Sequence, residues 1–219
     1  MGQMAGDRNP VSAFLDERSF RLSCRHFLHH SDSIHDDWRW ESLKDSDEGF
    51  MKKTVLIPVK SSAFQKQSDS MESETWGVLT GDTEVEDSGG SESLGVLRYE
   101  YHVVYSCSYQ IPVLYFRASA LDGRSLSLEE VRSNVHPHYR QRLNLAPWET
   151  LTQQEHPILG QPFFMLHPCH TEEFMKAALD SARLENKKVN YIVSWLSFVG
   201  PVVGLNIPLS FSTAVSAPD

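Results

Sequence analysis

The sequence predicts an α+β fold in which an antiparallel sheet is backed by helices. Two observations lead to this prediction. Apolar and polar residues alternate from 99 to 109 and an apolar run follows from 111 to 120, which is typical of a strand hairpin. Residues 16–30, 171–186 and 189–199 place apolar side chains at helical spacing. The order of helix, strands, short helix, irregular segment and two helices indicates the α+β class.

The size and composition of the chain indicate one globular domain and exclude several classes of protein. Its 219 residues, of which 40% are hydrophobic, suffice for a single core. The net charge of -9 argues against nucleic-acid binding, because few basic groups are available to neutralise phosphates. The three cysteines are too few for a secreted disulfide framework, so we expect a cytoplasmic protein.

We predict a single domain over residues 16–211 that is interrupted by a flexible acidic insert over 61–93. The insert is rich in Ser, Asp, Glu and Gly and cannot bury enough apolar surface to offset the entropy lost on ordering. Residues 1–15 and 212–219 are predicted to be disordered termini. The first residues lack the apolar core of a signal peptide. Polar residues interrupt the apolar run 189–209, which favours a buried helix and a covering tail over a membrane span.

The first elements of the domain are a helix and a strand. From Asp16 we expect an amphipathic helix of about five turns, with Phe20, Cys24 and Phe27 on its apolar face. Gly49–Lys60 is predicted to form a strand with a proline near its end, where a missing N–H is tolerated at a sheet edge. Cys24 is therefore expected to be a packed core residue.

The predicted hairpin carries a row of tyrosines on one face. With a period of two, Cys107 lies on the same face as four tyrosines, namely Tyr99, Tyr101, Tyr105 and Tyr109. We treat these tyrosines as candidates for partner binding, although the same face could equally lie in the core. Cys107 is expected to act as a small apolar residue within the sheet.

The second half of the domain alternates irregular and helical segments. Ser127 and Glu130 form a capping-box pattern that predicts a short helix. Residues 141–160 show no period, and a long irregular segment of this kind often carries binding or catalytic residues. Helices are then predicted over 171–186 and from Val189 onward.

Cys169 is the strongest candidate for chemistry. It follows an apolar segment and His167-Pro168, and it precedes a helix for which Thr171 is the predicted N-cap. Backbone N–H dipoles converge at a helix N-terminus and stabilise a thiolate over a thiol. Because Cys24 and Cys107 are expected to be packed, the sequence indicates Cys169 as the nucleophile.

Three alternatives remain open at this level. Cys169 could serve a cysteine hydrolase with a histidine base. A zinc site could form from His167, Cys169 and His170 with His136 or His138 as a further ligand, although ligands so close in sequence rarely close one tetrahedron. The chain could also be a non-catalytic interaction module that uses its tyrosines and its acidic insert.

Five segments in this order resemble the autophagy branch of the ubiquitin-conjugating enzymes. They are YEYHVVYSCSYQIPVLYFR at 99–117, LDGRSL at 121–126, QQEHPILGQPFF at 153–164, HPCHT at 167–171 and WLSFVGPVVGLN at 195–206. The resemblance covers about residues 16–211 and spares the acidic insert. It implies a ubiquitin-conjugating-enzyme-like core and an E2-like transferase in which Cys169 carries a ubiquitin-like modifier as a thioester.

The resemblance also implies a set of partners. An activating enzyme, autophagy-related protein seven, would load Cys169 with the modifier, autophagy-related protein twelve. The enzyme would then transfer the modifier to a lysine of autophagy-related protein five during autophagosome formation. No cofactor, metal, nucleic acid or intrinsic membrane anchor is implied.

One departure concerns the residues that support the cysteine. Orthodox ubiquitin-conjugating enzymes carry a His-Pro-Asn triplet shortly before the cysteine, and its asparagine is credited with supporting the oxyanion. Here the nearest triplet, at 156–158, reads His-Pro-Ile. Another donor must then stabilise the oxyanion, as could the backbone N–H groups after Cys169. The supporting side-chain candidates are Thr152, Gln153, Gln154, His156, His167, Pro168, His170 and Thr171.

Overall fold

The protein is described by a computed structural model that covers residues 13–43, 48–60, 94–135 and 151–215. Its strands are β1 Arg39–Ser42, β2 Gly49–Lys60, β3 Leu94–Ser106, β4 Ile111–Ala120, β5 Leu151–Glu155 and β6 Pro162–Leu166. They form one antiparallel sheet in the order β1-β2-β3-β4-β6-β5. The insert predicted at 61–93 lies outside the described residues.

Within the described residues, five helices and two 3-10 turns accompany the sheet. The helices are α1 Glu17–Ile34, α2 Leu128–Asn134, α3 Thr171–Leu184, α4 Tyr191–Val199 and α5 Ser210–Val215. The 3-10 turns are Pro168–His170 and Gly200–Val203. The predicted α+β class, an antiparallel sheet backed by helices, is confirmed. No helix in the part of the chain described is both long and apolar enough to cross a membrane.

Helix ends lie where the local sequence supplies caps. Asp16 accepts a hydrogen bond from the Ser19 N–H at 2.8 Å and begins α1. The predicted capping box between Ser127 and Glu130 is present at the start of α2. Asn190 begins α4 by accepting from two backbone N–H groups, and its own amide donates to the Ser23 carbonyl of α1 at 2.8 Å.

One face of the sheet packs against the helices and forms the main core. Residues that pair across antiparallel strands share a face, so Met51, Val103 and Leu114 all point toward the helices. Phe27 of α1 and Trp195 of α4 are buried against this face. Each fully buried side chain of this size contributes about 2 kcal/mol through removal of apolar surface from water. Cys24 is buried here, as predicted.

The opposite face carries a second, smaller core near one end of the sheet. It consists of Phe50, Val104, Val113, Tyr115, Phe163 and Met165. Ile158, in the turn between β5 and β6, packs against this cluster. The β5–β6 turn thus covers part of this face, and among the described residues no helix contributes a side chain to the buried cluster.

The structure differs from the sequence predictions in the extent of several elements. Strand β5 occupies residues 151–155 of the segment predicted to be irregular. Cys107 lies in the β3–β4 turn and is exposed, because β3 ends at Ser106. Ala13 and Leu15 are buried, although residues 1–15 were predicted to be disordered, because α1 and the sheet cover them. Helix α5 extends to residue 215, beyond the predicted start of a disordered tail at 212.

Candidate active site

Cys169 lies in the connection between strand β6 and helix α3. Strand β6 ends at Leu166, the 3-10 turn Pro168–His170 follows, and α3 begins at once. Pro168 occupies the first position of the turn, where its fixed φ is favourable and its missing N–H costs nothing. Pro168 is buried while Cys169 is exposed, so the proline anchors the turn and leaves the thiol accessible.

The ring of His167 is held against the backbone of this turn. Its Nδ1 accepts a hydrogen bond from the Cys169 N–H at 3.2 Å, and its ring lies 5.9 Å from that of Tyr109 in an edge-to-face arrangement. The Cys169 Sγ lies 4.0 Å from the His167 carbonyl oxygen. An Nδ1 that accepts must leave the ring hydrogen on Nε2, so His167 cannot take the thiol proton at Nδ1. This arrangement does not favour a hydrolase with His167 as its base.

The two residues that follow Cys169 are His170 and Thr171, at the start of α3. His170 Nδ1 lies 3.7 Å from the Glu173 carboxylate, and both side chains are exposed. Thr171 is buried as the first residue of α3, whereas the N-cap position belongs to His170, which makes no side-chain cap. The prediction that Thr171 caps α3 is therefore wrong, because the 3-10 turn shifts the start of the helix.

The four tyrosines proposed for partner binding separate into buried and accessible residues. Tyr99 and Tyr101 are 4% and 0% exposed, because their face of β3 is the one that the helices cover. They cannot contact a partner at the surface of the folded protein. Tyr105 is half-buried and its hydroxyl donates to the Leu15 carbonyl at 2.8 Å. Tyr109 is exposed and lies beside His167, so it alone of the four borders the Cys169 turn with a free surface.

The candidates on β5 lie on the edge strand beside β6. Thr152 is half-buried and pairs with Met165, while Gln153 is exposed and pairs with Phe164. Gln154 donates a 3.4 Å hydrogen bond to the Thr152 hydroxyl. These polar side chains therefore lie on the strand that pairs with β6, and β6 leads directly to Cys169.

His156 does not lie beside the Cys169 thiol, although its place in the His-Pro-Ile triplet suggests that position. It is fully buried, and its Nδ1 accepts from the backbone N–H groups of Ile158 and Leu159, each at 3.2 Å. Its Nε2 lies 3.0 Å from the Nδ1 of His102. Both ring nitrogens are therefore engaged inside the protein, and His156 cannot support an oxyanion at the surface.

The sequence reasoning missed the polar cluster to which His156 belongs. His102 is buried beside Glu100, with Nε2 3.1 Å from Oε1. Lys52 and Arg117 pair with the same carboxylate at 3.1 and 2.9 Å. The signal was the polar side of β3, where Glu100 and His102 alternate with buried tyrosines.

Burial and hydrogen bonding set the protonation of this cluster. Burial lowers the pKa of His102, and it lowers that of His156 to about 4 with a further contribution from His102. For Glu100, burial raises the pKa, but hydrogen bonds from His102 and Lys52 and the charge of Arg117 outweigh it and bring the pKa to about 2. The carboxylate is therefore charged and both histidines are neutral near pH 7.

The structure also bears on the Cys24 thiol and on the zinc site considered from the sequence. Burial raises the pKa of the Cys24 thiol, which removes it as a nucleophile. Within residues 13–43, 48–60, 94–135 and 151–215, no three His, Cys, Asp or Glu side chains are arranged to hold a metal ion. His136 and His138 lie outside these ranges.

Comparison with known proteins places this chain within a family. Residues 19–210 match the family described as autophagocytosis associated protein, active-site domain. The ubiquitin-like-conjugating enzyme ATG10 of Homo sapiens is 49% identical over 211 residues, which cover 93% of this chain and 94% of that protein. The chain belongs to this family.

Other relatives match over shorter lengths or with lower similarity. The ubiquitin-like-conjugating enzyme ATG10 of Arabidopsis thaliana is 44% identical over 114 residues, which cover 51% of each chain. A crystal structure of the autophagic E2 Atg10 matches with a TM-score of 0.40 and 13% identity, covering 88% of this chain and 99% of that one.

Family membership confirms the identification made from the five sequence segments. Two of them, 153–164 and 195–206, point within the family to autophagy-related protein ten, and this resemblance is confirmed as well. The predicted activity is confirmed at the level of its class: the chain is a ubiquitin-like-conjugating enzyme of autophagy, with ubiquitin-like proteins among its partners.

Proposed function

We propose that Cys169 carries the modifier as a thioester and passes it to a lysine of the target protein. The observation that supports this proposal is the position of Cys169, an exposed thiol in the turn that opens α3. Cys24 is buried, and Cys107 is exposed but lies in the β3–β4 hairpin turn, which leads into a strand. Cys169 alone among the three is exposed in a segment that leads directly into a helix.

The proposed reaction consists of two acyl transfers. The Cys169 thiol loses its proton, and Sγ attacks the thioester carbonyl that joins the C-terminal glycine of the modifier to the activating enzyme. The thiolate of that enzyme leaves, and the modifier is then bonded to Cys169. The amine of the target lysine attacks the same carbonyl, an isopeptide bond forms and the Cys169 thiolate leaves. ATP is consumed only in the earlier activation step.

The partners that we propose are specific. The activating enzyme is similar to autophagy-related protein seven, the modifier to autophagy-related protein twelve and the target to autophagy-related protein five. Human ATG10, which shares 49% identity with this chain, carries the name of a ubiquitin-like-conjugating enzyme, which supports a ubiquitin-like modifier. We also propose that the reaction takes place in the cytoplasm, where a free thiol stays reduced.

The structure reduces the number of groups that could replace the missing asparagine as the oxyanion donor. His156 is excluded by its burial, and Pro168 has no N–H group to offer. We propose that the oxyanion donor lies among His167 Nε2–H, His170, the polar side chains of Thr152 and Gln153, and backbone N–H groups at the start of α3. One well-placed donor contributes about 3 kcal/mol to transition-state stabilisation.

The first prediction tests the nature of the bond on Cys169. Incubated with the activating enzyme, modifier and ATP, the variant Cys169→Ser should form an oxyester that survives reductant, whereas the wild-type adduct is cleaved by it. Denaturing gels with and without reductant measure the difference. Cys24→Ser and Cys107→Ser are the matched controls, and each should form a reductant-sensitive adduct. A reductant-sensitive adduct on Cys169→Ser would contradict the proposal.

A further inference from the structure

The hairpin of β5 and β6 has a short attachment to the rest of the sheet. Five residue pairs join β5 to β6, but only two pairs, Tyr115 with Met165 and Phe116 with Phe164, join β6 to β4. So short a ladder leaves the position of the hairpin to side-chain packing, which Leu151, Phe164 and Leu166 supply toward the main core, and to the contacts of its turn. Cys169 lies three residues beyond the end of β6, so any pivot of the hairpin moves the thiol.

His156 supplies a second attachment at the turn of the hairpin. Its ring packs against Phe50 at 5.1 Å, Tyr115 at 5.1 Å and Phe163 at 4.9 Å between ring centroids. These rings belong to β2, β4 and β6, so the turn reaches across the second face of the sheet. The buried His102 of β3 lies in edge-to-face contact with the same ring.

The hydrogen bonds around His156 form a relay with one consistent direction. The N–H groups of Ile158 and Leu159 donate to His156 Nδ1, so the ring hydrogen of His156 is on Nε2. That hydrogen is donated to His102 Nδ1, which places the hydrogen of His102 on its own Nε2. His102 Nε2–H in turn donates to the Glu100 carboxylate.

The relay ends at the Glu100 carboxylate, which two ion pairs hold in place. Glu100 is 5% exposed and is held by Lys52 of β2 and Arg117 of β4. Each tautomer in the chain is therefore determined by its neighbour, from the backbone of the turn to a carboxylate in the centre of the sheet. A relay with every donor and acceptor satisfied is rigid and specifies one geometry.

We propose that His156 is a positioning residue, which locks the β5–β6 turn to His102 and Glu100 and thereby sets where β6 presents Cys169. This inference rests on the proposed function of Cys169. It assigns the His-Pro-Ile triplet a role remote from the reacting atoms. Its link to the thiol passes through β6 and the buried Pro168.

Two substitutions distinguish the hydrogen bond from His156 to His102 from the hydrogen bonds that His156 accepts from the turn. His156→Gln can keep a donor at the position of Nε2, and with it the bond to His102. His156→Asn can keep an acceptor at the position of Nδ1 for the turn, but it does not reach His102. If the link to the sheet positions Cys169, Gln should preserve the behaviour of the thiol better than Asn. A residue that only caps the turn gives the opposite order.

Alkylation of the full chain by iodoacetamide measures the position of the thiol without any modifier. Peptide mass spectrometry gives the rate at Cys169, and the rate of N-acetylcysteine added to each reaction serves as the reference rather than that of Cys107, because Cys107 borders the same pocket as Pro157 and Ile158 of the altered turn. We expect the ratio of the two rates to change by about fivefold or more in His156→Asn and by less than about twofold in His156→Gln. Phe211→Leu, a core change in α5, should lower stability and leave the ratio unchanged.

The outcomes separate this inference from the proposed function. An unchanged ratio in both His156 variants, or a larger change in Gln than in Asn, overturns the inference. If the ratio follows the expected order but Cys169 forms no adduct with the modifier, only the proposed function fails. Should the variants not fold, nitrogen-15 spectra of the wild-type imidazoles decide the relay. Both rings should be neutral with hydrogen on Nε2, and hydrogen on Nδ1 of either ring contradicts it.

Discussion

Replacing Glu100 with alanine is expected to lower the free energy of unfolding by about 3 kcal/mol. The carboxylate accepts from His102 and pairs with Lys52 and Arg117, and it is 5% exposed. Its removal leaves the buried His102 N–H without a partner, and that group cannot reach water because His102 is 0% exposed. Lys52, at 19% side-chain exposure, also loses its partner. Urea denaturation followed by tryptophan fluorescence measures the loss.

Two matched variants test the cause of this loss. Glu100→Gln keeps an oxygen that accepts from His102 but removes the charge opposite Lys52 and Arg117, so we expect about half of the effect. Glu17→Ala removes an exposed glutamate that pairs with Arg21 on α1 and should change stability little. If Glu100→Ala behaves like Glu17→Ala, the cluster does not stabilise the fold.

Acidification is expected to destabilise the protein between pH 6.5 and pH 4, with about 3 kcal/mol lost through His156 alone. Burial lowers the pKa of this histidine to about 4 in the folded state, whereas the unfolded chain has the ordinary value of 6.5. In that interval the unfolded chain binds a proton that the folded protein does not. The contribution to stability is therefore complete above pH 6.5 and is lost as the pH falls to 4.

The charged and titratable groups around His156 act in the same direction or do not titrate there. The lowered pKa of His102 adds to the loss, and Glu100 adds its own part only between pH 4.5 and about 2. Tyr115 has a raised pKa, because it is buried, and stays neutral in acid. Denaturation midpoints at stepwise pH values measure the slope. His156→Gln should flatten it, and equal slopes in the variant and the wild type would contradict the assignment.

Local signals in the sequence predicted the elements that depend on local chemistry. The apolar period of α1, the capping box of α2 and the strand from Gly49 to Lys60 all appear where the sequence placed them. These features arise within a few residues, since caps and side-chain periods act over one or two turns or strand pairs. Cys24 was correctly placed in the core for the same reason.

Features that depend on which surface is covered were not predictable in the same way. Alternation along β3 divides its residues into two faces, but it does not say which face the helices bury. Tyr99 and Tyr101 are therefore in the core rather than at a docking surface. The opposite face holds His102, and His156 of the β5–β6 turn covers it. Cys107 lies outside the strand because β3 ends at Ser106, three residues before the end of the predicted alternation at 109.

The supporting residues of the site show the same limit. Sequence proximity suggested that the His-Pro-Ile triplet lies beside the thiol, because a similar triplet does so in orthodox ubiquitin-conjugating enzymes. In the structure, His156 turns into the sheet and bonds to a histidine 54 residues away along the chain. Such a pairing requires the antiparallel register of four strands, which no local pattern encodes.

The central claim is that the modifier is bonded to Cys169, and one measurement tests it most directly. Wild-type chain, Cys169→Ala and Cys107→Ala are each incubated with the activating enzyme, modifier and ATP, and the adducts are quantified by mass spectrometry without reductant. We expect equal loading of the wild-type chain and Cys107→Ala, and loading of Cys169→Ala at least about a thousandfold lower, since alanine has no nucleophile. Normal loading of Cys169→Ala, or loss of loading in Cys107→Ala alone, would contradict the assignment.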